Sequence, residues 1–189
     1  PRWPTGGEKM PNGLVDDPLV FVTIAKDGTV TLTAHRSEMG TGSRTTLPMI
    51  MADEMEADWS RVKIVQAEGD EPKYGNQNTD GSRSLRHHIQ PARRIGGAIR
   101  TMIQRAAAAE WGVPAKDVVV KDHTATHGAK SLGFGDLAAK AMAQAVPAHD
   151  EVAYKDPADF KYIGKREFQI YDLKHITTGA AVYGADVKL

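Results

Sequence analysis

Two glycine-containing stretches carry the residues best suited to binding a ligand. The first reads HRSEMGTGSRTTLP and places Gly40 and Gly42 directly before the hydroxyl side chains of Ser43, Thr45 and Thr46. Glycine permits positive φ angles and leaves room for a ligand, and the N–H groups of a helix's first turn attract anions. The stretch therefore predicts either an anion site or simply a turn with a helix cap. It matches neither the P-loop nor the GxGxxG dinucleotide pattern.

The second stretch, GNQNTDGSRS, runs from Gly75 to Ser84 and also leads into a predicted helix. Its hydroxyls, carboxamides and arginine could meet a polyanionic or heterocyclic ligand. The alternative is a solvated loop in which Ser84 caps the helix. Both stretches follow predicted strands. If those strands are neighbours, both loops lie at one sheet edge and could hold one ligand between them.

Histidines and carboxylates elsewhere in the chain do not predict a catalytic or metal site. The adjacent His87 and His88 cannot share a metal from one helix face, so they are predicted to be exposed. His123 and His127 have helical metal-ligand spacing but lie in a strand-and-turn context, which argues against a metal site. We identify no general base. The acidic residues near the first helix are expected to face solvent, with Glu38 the one nearest a glycine loop: Glu38, Glu54, Glu56 and Asp58.

Arginines near the second stretch form a basic strip along the following helix. The strip is either a solvated helix face or a surface for phosphate contact or docking. Its members are Arg83, Arg86, Arg93, Arg94 and Arg100.

Composition excludes several classes of protein. The 189 residues include 24 acidic and 24 basic side chains, so no net basic field favours nucleic-acid binding. The absence of cysteine excludes disulfides and thiolate-bound metal clusters within this chain. No apolar run approaches the roughly 18 to 20 residues of a membrane span. The first residues, PRWPTGGEKMPNG, lack the order of a signal peptide.

Hydrophobic periodicity predicts alternating strands and helices. A hairpin turn at Lys26-Asp27-Gly28 joins the first two strands. The predicted strands are Leu19–Ala25, Thr29–Ala34, Arg61–Ala67 and one starting with Val118–Val120; the predicted helices are Thr45–Ala57, a long one from Ser84 or Pro91 to Trp111, and a short one within Ser131–Gln144. Residues 68–83 are expected to form a loop long enough to suggest a function.

The segments EADWSRVKIV and AAEWGVPAKDVVV share the order helix, Trp, short turn, strand. Two such units packing helices on one sheet predict an α/β or α+β domain with two layers. We therefore expect an irregular lead-in over 1–17, this domain over 18–150, and a linker with the start of another domain over 151–189.

A family resemblance extends these expectations. SEMGTGSRTTLPMIMADEMEADWSRVKIVQAEGD followed by YGNQNTDGSRSLR resembles the molybdenum-binding subunits of the xanthine dehydrogenase and aldehyde oxidase family. The resemblance is greatest to the branch of isoquinoline 1-oxidoreductase β subunits and membrane-associated bacterial aldehyde dehydrogenases. It runs from about Val20 to Leu189. It includes FKYIGK and ITTGAAVYGADV, which in that family lead into a hammerhead domain.

The resemblance implies an oxidoreductase that oxidises aldehydes or N-heterocycles with water as the oxygen source. Its cofactor would be molybdopterin, as the cytosine dinucleotide in bacteria, and iron–sulfur clusters on a partner subunit would accept the electrons. The first loop would lie against the cofactor, and the second would hydrogen-bond its pterin or phosphates. The residues so implied are Met39, Gly40, Thr41, Gly42, Thr79, Gly81, Ser82 and Ser84. The family often has Gln in place of Thr41, whose shorter side chain reaches less far.

The catalytic glutamate of that family lies much later in a far longer polypeptide, so the resemblance implies no catalytic residue in this chain. We expect a fragment that is inactive alone and needs the remainder of the molybdenum subunit and a small iron–sulfur subunit. The expected location is the periplasm or the periplasmic face of the inner membrane, without a membrane span in this chain; the cytoplasm is the alternative.

A different class of function stays open. The same domain could have lost the cofactor and serve to dock an electron-transfer subunit, with the arginine strip and the methionine-rich first helix as its interface. A free-standing binder of nucleotide phosphates is a third possibility. The absence of a phosphate-loop lysine argues against it.

Overall fold

A computed structural model describes residue 15 and residues 17–165 and 168–188 of the chain. These residues form helices and two three-stranded sheets, which confirms the predicted α/β class. The first sheet contains β1 (Val22–Ile24), β2 (Val30–Ala34) and β3 (Val62–Gln66), and the second contains β4 (Val119–Lys121), β5 (Thr124–His127) and β6 (Lys130–Gly133). The helices are α1 (Ser43–Glu54), α2 (Glu71–Tyr74), α3 (Arg83–Arg86), α4 (Ile89–Trp111), α5 (Phe134–Met142) and α6 (Leu173–Thr177).

The predicted hairpin joins β1 and β2, which pair in antiparallel register with Ile24 opposite Val30. Its turn needs a positive φ, and Gly28 supplies one of 87°. The Asp27 carboxylate accepts the Thr29 backbone N–H at 2.8 Å and closes the turn. The Asp-Gly signal in the sequence was therefore sufficient to locate this hairpin.

The pairing of β2 with β3 is parallel, with Leu32 opposite Ile64. Parallel neighbours require a crossover connection, and α1 provides it. Along β2, Val30, Leu32 and Ala34 are buried, as expected for alternate residues that face the core. Because the two strands run in the same direction, the loops that follow them leave from one edge of the sheet.

Helices α1 and α4 pack closely because α4 has a glycine at the contact. A Cβ atom at Gly96 would lie 2.3 Å from the backbone oxygen of Met51 and 2.7 Å from the Glu54 Cβ. The rest of the α4 face toward the core is an apolar stripe. All of its members are buried: Ile95, Ile99, Met102, Ile103 and Ala106.

The second sheet corrects the prediction of two helix–strand units on one sheet. Strand β4 pairs with β5 and then β6 in an antiparallel meander, separate from the first sheet. Asp122 and His123, both with positive φ, form the tight turn after β4. A turn this short joins antiparallel strands and leaves no length for a crossover. The shared order of elements in EADWSRVKIV and AAEWGVPAKDVVV thus reflects a local sequence pattern and not a repeated fold unit.

The long loop predicted over residues 68–83 contains a short helix, which the sequence pattern missed. Asp70 caps α2 by accepting the Lys73 N–H at 3.1 Å, and Tyr74 at its end is buried in the core. Four residues are too few to show helical periodicity in the sequence.

The prediction that the α1 carboxylates face solvent is wrong for Glu54 and Glu56, which are buried together with Asp53. Lys155 Nζ lies 2.7 Å from Asp53 Oδ1 and 2.9 Å from Glu56 Oε1. Glu54 pairs with Arg93. The helix is therefore covered on both sides, by α4 and by the later segment around Lys155. Asp58 is exposed, as predicted.

The Asp53 carboxylate also accepts backbone N–H groups at 2.9–3.2 Å from three consecutive residues, Lys161, Tyr162 and Ile163. Burial by itself would raise the pKa of Asp53, but these hydrogen bonds and Lys155 lower it below its ordinary value. Asp53 thus fastens the segment after residue 154 to α1. The predicted domain boundary at 150/151 stays a prediction.

Replacement of Gly96 by alanine should destabilise the protein, although alanine usually stabilises a helix interior. The added Cβ would meet the backbone of α1, so the two helices must move apart. We expect the free energy of unfolding, measured by urea denaturation, to fall by roughly 1–3 kcal/mol.

Gly97→Ala is the matched control, because a Cβ there would lie 2.7 Å from a side-chain methyl of Val152 and no closer than 3.5 Å to a backbone atom, the Ala153 oxygen. Its effect should be clearly smaller. Equal losses for the two variants would contradict the close backbone contact.

Candidate functional site

The two glycine loops meet at the shared edge of β2 and β3. We define the first loop as residues 35–42 and the second loop as residues 75–82. The Gln77 side chain donates to the backbone oxygen of His35 at 3.1 Å, and Thr79 Oγ1 donates to the backbone oxygen of Ser37. The condition stated from the sequence, that the preceding strands be neighbours, is fulfilled.

A cavity of about 420 Å³ opens between the two loops. Most of the predicted cofactor residues line it, together with side chains that the sequence did not single out. The lining consists of Met39, Thr41, Ser43, Thr79, Asp80, Gly81, Ser82, Ser84 and Leu85. The structure therefore brings Met39, Thr41, Thr79, Gly81, Ser82 and Ser84 together. Their contact with a cofactor stays a prediction.

The remaining predicted residues, Gly40 and Gly42, line a neighbouring cavity of about 500 Å³ that shares Met39. Its other wall comes from the 170–183 segment, including Ile170 and Tyr183. The Tyr171 N–H donates to Thr45 Oγ1 at 2.8 Å. The late segment thus lies beside the first loop. Met39, 69% exposed, separates the two cavities.

The backbone N–H groups of the first loop, which the sequence offered to an anionic ligand, are bound by Glu38. Its Oε1 accepts the N–H groups of Gly40, Thr41 and Gly42 at 2.6, 2.6 and 3.1 Å. Its Oε2 accepts the Arg44 N–H at 3.0 Å. The anion expected at this helix start is therefore a side chain of the protein itself.

Partial burial by itself would raise the pKa of Glu38, but the four backbone donors lower it below its ordinary value. The carboxylate consequently stays ionised and holds the turn in shape. The sequence had marked Glu38 only by its position before the glycines.

Glu38→Gln should loosen the first loop without unfolding the sheet. An amide is a weaker acceptor than a carboxylate, so we expect the amides of Gly40, Thr41 and Gly42 to exchange hydrogen about tenfold faster. Exchange in β2 should be unchanged. Glu68→Gln, at an exposed carboxylate paired with Lys73, is the control. Equal protection of the loop in Glu38→Gln and the control would refute this role.

Hydroxyl groups remain as donors toward the 420 Å³ cavity. Thr41 Oγ1 lies 3.3 Å from Ser43 Oγ. Ser84 Oγ accepts a hydrogen bond from Arg36 Nε at 3.2 Å. Neutral hydroxyls of this kind suit a ligand with many acceptor atoms, such as a phosphate ester or a pterin.

Arg36 was missed by the sequence reasoning. It lies two residues after the end of β2 and is only 1% exposed. Its Nη1 donates to the backbone oxygen of Asn76 at 2.8 Å and also to the Asn76 side chain. A lone arginine in HRSEMG gives no sign of burial, because charged residues next to turns are usually solvated.

Two buried histidines lie beside Arg36. The rings of His35 and His88 are 5.1 Å apart, and both side chains are completely buried. The prediction that His88 is exposed is therefore wrong: His88 lies between α3 and α4, where the chain turns inward. Desolvation, Arg36 and His87 lower the pKa of His88 to about 4 despite hydrogen bonds to backbone oxygens. Burial, His88 and Arg36 hold the pKa of His35 well below its usual range.

Protonation of these histidines should couple stability to pH. The pKa of His88 falls from 6.5 in the unfolded chain to about 4 in the folded one. The unfolded state therefore binds the proton first as the pH decreases. Stability present above pH 6.5 is lost between that pH and about 4, by up to ~3 kcal/mol for His88.

Urea denaturation at several pH values measures this loss. His88→Gln should reduce it, while His87→Gln, which leaves His88 in place, should preserve it. A free energy of unfolding that stays flat from pH 7 to 4 in the unsubstituted protein would contradict the coupling.

The arginine strip is not a continuous exposed surface, which corrects that expectation. Arg93 pairs with Glu54 and also donates to the Lys155 backbone oxygen at 2.7 Å. Arg94 is buried. Arg83 pairs with Asp80, and Arg86 is exposed. Arg93 and Arg100 of α4 are partly covered because the 153–160 segment lies over them.

His123 has a structural environment. Its Nδ1 accepts the Asp58 N–H at 3.1 Å, and its Nε2 lies 2.9 Å from the Gly28 backbone oxygen. The ring stacks on Phe134 at 4.2 Å.

No cluster of three or more metal-ligating side chains is found among residues 15, 17–165 and 168–188. Within the same residues, no helix has the length and apolarity needed to cross a bilayer.

Comparison with known proteins identifies what this arrangement is similar to. The family model of the molybdopterin cofactor-binding domain matches residues 5–188. The membrane-bound aldehyde dehydrogenase [pyrroloquinoline-quinone] of Gluconacetobacter polyoxogenes is 35% identical over 176 residues, covering 92% of this chain and 23% of that protein. Isoquinoline 1-oxidoreductase subunit beta of Brevundimonas diminuta is 28% identical, covering 96% of this chain and 28% of that protein.

Among solved structures, quinoline 2-oxidoreductase from Pseudomonas putida 86 aligns with a TM-score of 0.51 and 21% identity. The alignment covers 62% of this chain and 15% of that one, and at this identity it supports the fold alone. The chain thus spans about a quarter of the length of the two curated relatives.

Proposed function

The chain belongs to the molybdopterin cofactor-binding domain family, and from this premise we propose that it forms one wall of the cofactor site in a molybdenum-dependent oxidoreductase of aldehydes or N-heterocycles. The observation that carries the proposal is the meeting of the two glycine loops around one cavity at the edge of β2 and β3. The residues that the family resemblance assigns to the cofactor lie around that cavity and its neighbour.

The chemistry of the lining fits such a cofactor. Hydroxyl groups of Thr41, Ser82 and Ser84 match the many acceptor atoms of a pterin and its phosphates. A Cβ added at Gly40 would meet no atom within 4 Å, so the glycine leaves open space beside the loop. The N–H groups around Glu38 are engaged, so we assign binding to side chains and to the second loop.

In this proposal, the residues of this chain bind and orient the cofactor. When bound, the cofactor supplies the two-electron oxidation and the transfer of oxygen from water. Glu38 holds the first loop in shape, and the contacts of Gln77 and Thr79 hold the second loop beside it. Met39 lies exposed at the boundary of the two cavities.

Several finer features belong to the same proposal. We propose the cytosine dinucleotide form of the cofactor, a partner subunit with iron–sulfur clusters, and a remainder of the molybdenum subunit that closes the site. We also propose that the protein works in the periplasm or at the periplasmic face of the inner membrane. Similarity to a protein named as membrane-bound supports the location, and similarity to a protein named as a subunit β supports the partner.

The rival function, a docking module without cofactor, has weaker support because several side chains that favoured it are covered. Met51 and Met55 of the first helix are buried in the core. Arg93 and Arg100 lie next to the buried Glu54. These four side chains therefore contribute little exposed surface to an interface, whereas Arg86 of the strip is exposed.

Molybdenum content and pterin fluorescence after oxidation test the proposal. They should be measured on this chain alone and on a chain that carries it together with the rest of the subunit. We expect both signals in the longer chain. Gly40→Leu and Ser82→Trp should each lower loading at least about tenfold, because both substitutions place bulk beside the loops.

Gly112→Leu is the matched control. Gly112 has a φ of 64° and open space like Gly40, but it lies at the end of α4. It should load normally. Absence of molybdenum from both chains while a complex with the electron-transfer subunit still forms would overturn the cofactor function and restore the docking module.

A further inference from the structure

Arg36 is a buried cation with incomplete pairing. Its Nε and Nη1 donate to Ser84 and Asn76, but Nη2 has no hydrogen-bond partner among the described residues. A buried charge is costly unless an opposite charge or several dipoles compensate it. This incompletely paired guanidinium lies directly behind the wall of the 420 Å³ cavity.

The neighbouring charges do not neutralise Arg36 directly. In the described part of the chain, no carboxylate oxygen forms an ion pair with it within 4.0 Å. Asp80 and Glu71 favour its charged form from a distance, but Asp80 is paired with Arg83, and Glu71 accepts the Gln77 N–H at 3.1 Å. A negative ligand in the cavity would supply the missing compensation.

Ser84 connects this charge to the cavity. Its oxygen accepts from Arg36 Nε, and no described residue accepts its hydroxyl proton. Ser84 also lines the cavity. The hydroxyl can therefore donate to a ligand, and the guanidinium behind it strengthens that donation.

We infer that Arg36 is a positioning residue that, through Ser84, makes the cavity selective for the phosphate-bearing part of its ligand over a neutral heterocycle. This inference rests on the proposed function and deepens it. It assigns the recognition of negative charge to Ser84 in α3 and to Arg36 behind it, because Glu38 occupies the N–H groups of Gly40, Thr41 and Gly42.

Asp80 provides an opposing test of the same electrostatics. Its carboxylate belongs to the cavity lining, where it disfavours an anion. Removal of this charge should strengthen the binding of a phosphate, whereas removal of the Arg36 charge should weaken it.

The experiment uses two probes on the 189-residue chain: inorganic pyrophosphate, followed by calorimetry, and neutral 6-hydroxymethylpterin, followed by its fluorescence. Ser84→Ala and Arg36→Met should each weaken pyrophosphate binding about tenfold or more. Both should weaken binding of the neutral pterin clearly less than binding of pyrophosphate. Arg36→Lys should bind pyrophosphate more tightly than Arg36→Met, because lysine keeps the positive charge but lacks the planar guanidinium with its several N–H donors. Asp80→Asn should bind pyrophosphate more tightly.

Lys73→Met is the matched control, because it removes one exposed positive charge that pairs with Glu68 outside the cavity. It should change pyrophosphate binding little. Ser84→Ala removes a single oxygen atom, so it keeps the test decisive even if Arg36→Met unfolds. Circular dichroism identifies any unfolded variant.

Equal effects on both probes, or equal effects of Lys73→Met and Arg36→Met, would overturn the inference. Failure of the unsubstituted chain to bind pyrophosphate at millimolar concentration would overturn it as well. These outcomes are distinct from failure of the proposed function, which is decided by molybdenum and pterin in the longer chain. A longer chain that loads cofactor equally well with and without Ser84→Ala would retain the function and refute the inference.

Discussion

The parallel pairing of β2 and β3 is the constraint on which the rest of the structure depends. Two strands that run side by side in one direction end at one edge, so the loops that follow them must leave the sheet together. The crossover helix α1 starts at this edge, directly after the first loop. If either strand ran in the opposite direction, the two loops would lie at opposite ends of the strands, and no cavity between them would exist.

The edge is stabilised by polar groups and not by apolar packing alone. Arg36, His35 and His88 are buried at this edge, and the Gln77 side chain donates to the backbone oxygens of His35 and Glu68. Such a polar core costs stability compared with an apolar one, because charges and imidazoles lose their hydration. It is retained where the loops approach a cavity, which fits the tendency of functional sites to depart from optimal packing.

The buried carboxylates of α1 explain how the late part of the chain comes to border the site. Asp53 accepts three consecutive backbone N–H groups from residues 161–163, and Lys155 neutralises it. A carboxylate in this position orients the segment more specifically than an apolar contact would, since each oxygen accepts only in defined directions. The following residues then pass beside the first loop and form the second wall of the 500 Å³ cavity.

By itself, the sequence determined the elements with strong local signals. The Asp-Gly turn placed the hairpin, apolar spacing placed α1 and α4, and the two glycine stretches marked the loops that line the cavity. Only the tertiary structure decided which charges are buried. Glu38 fills the turn that looked open to a ligand, Glu54 and His88 face inward, and Arg36 lies behind Ser84. For Glu54, His88 and Arg36, the physical reason is that burial of a polar side chain depends on partners more than thirty residues away, and local periodicity contains no information about them.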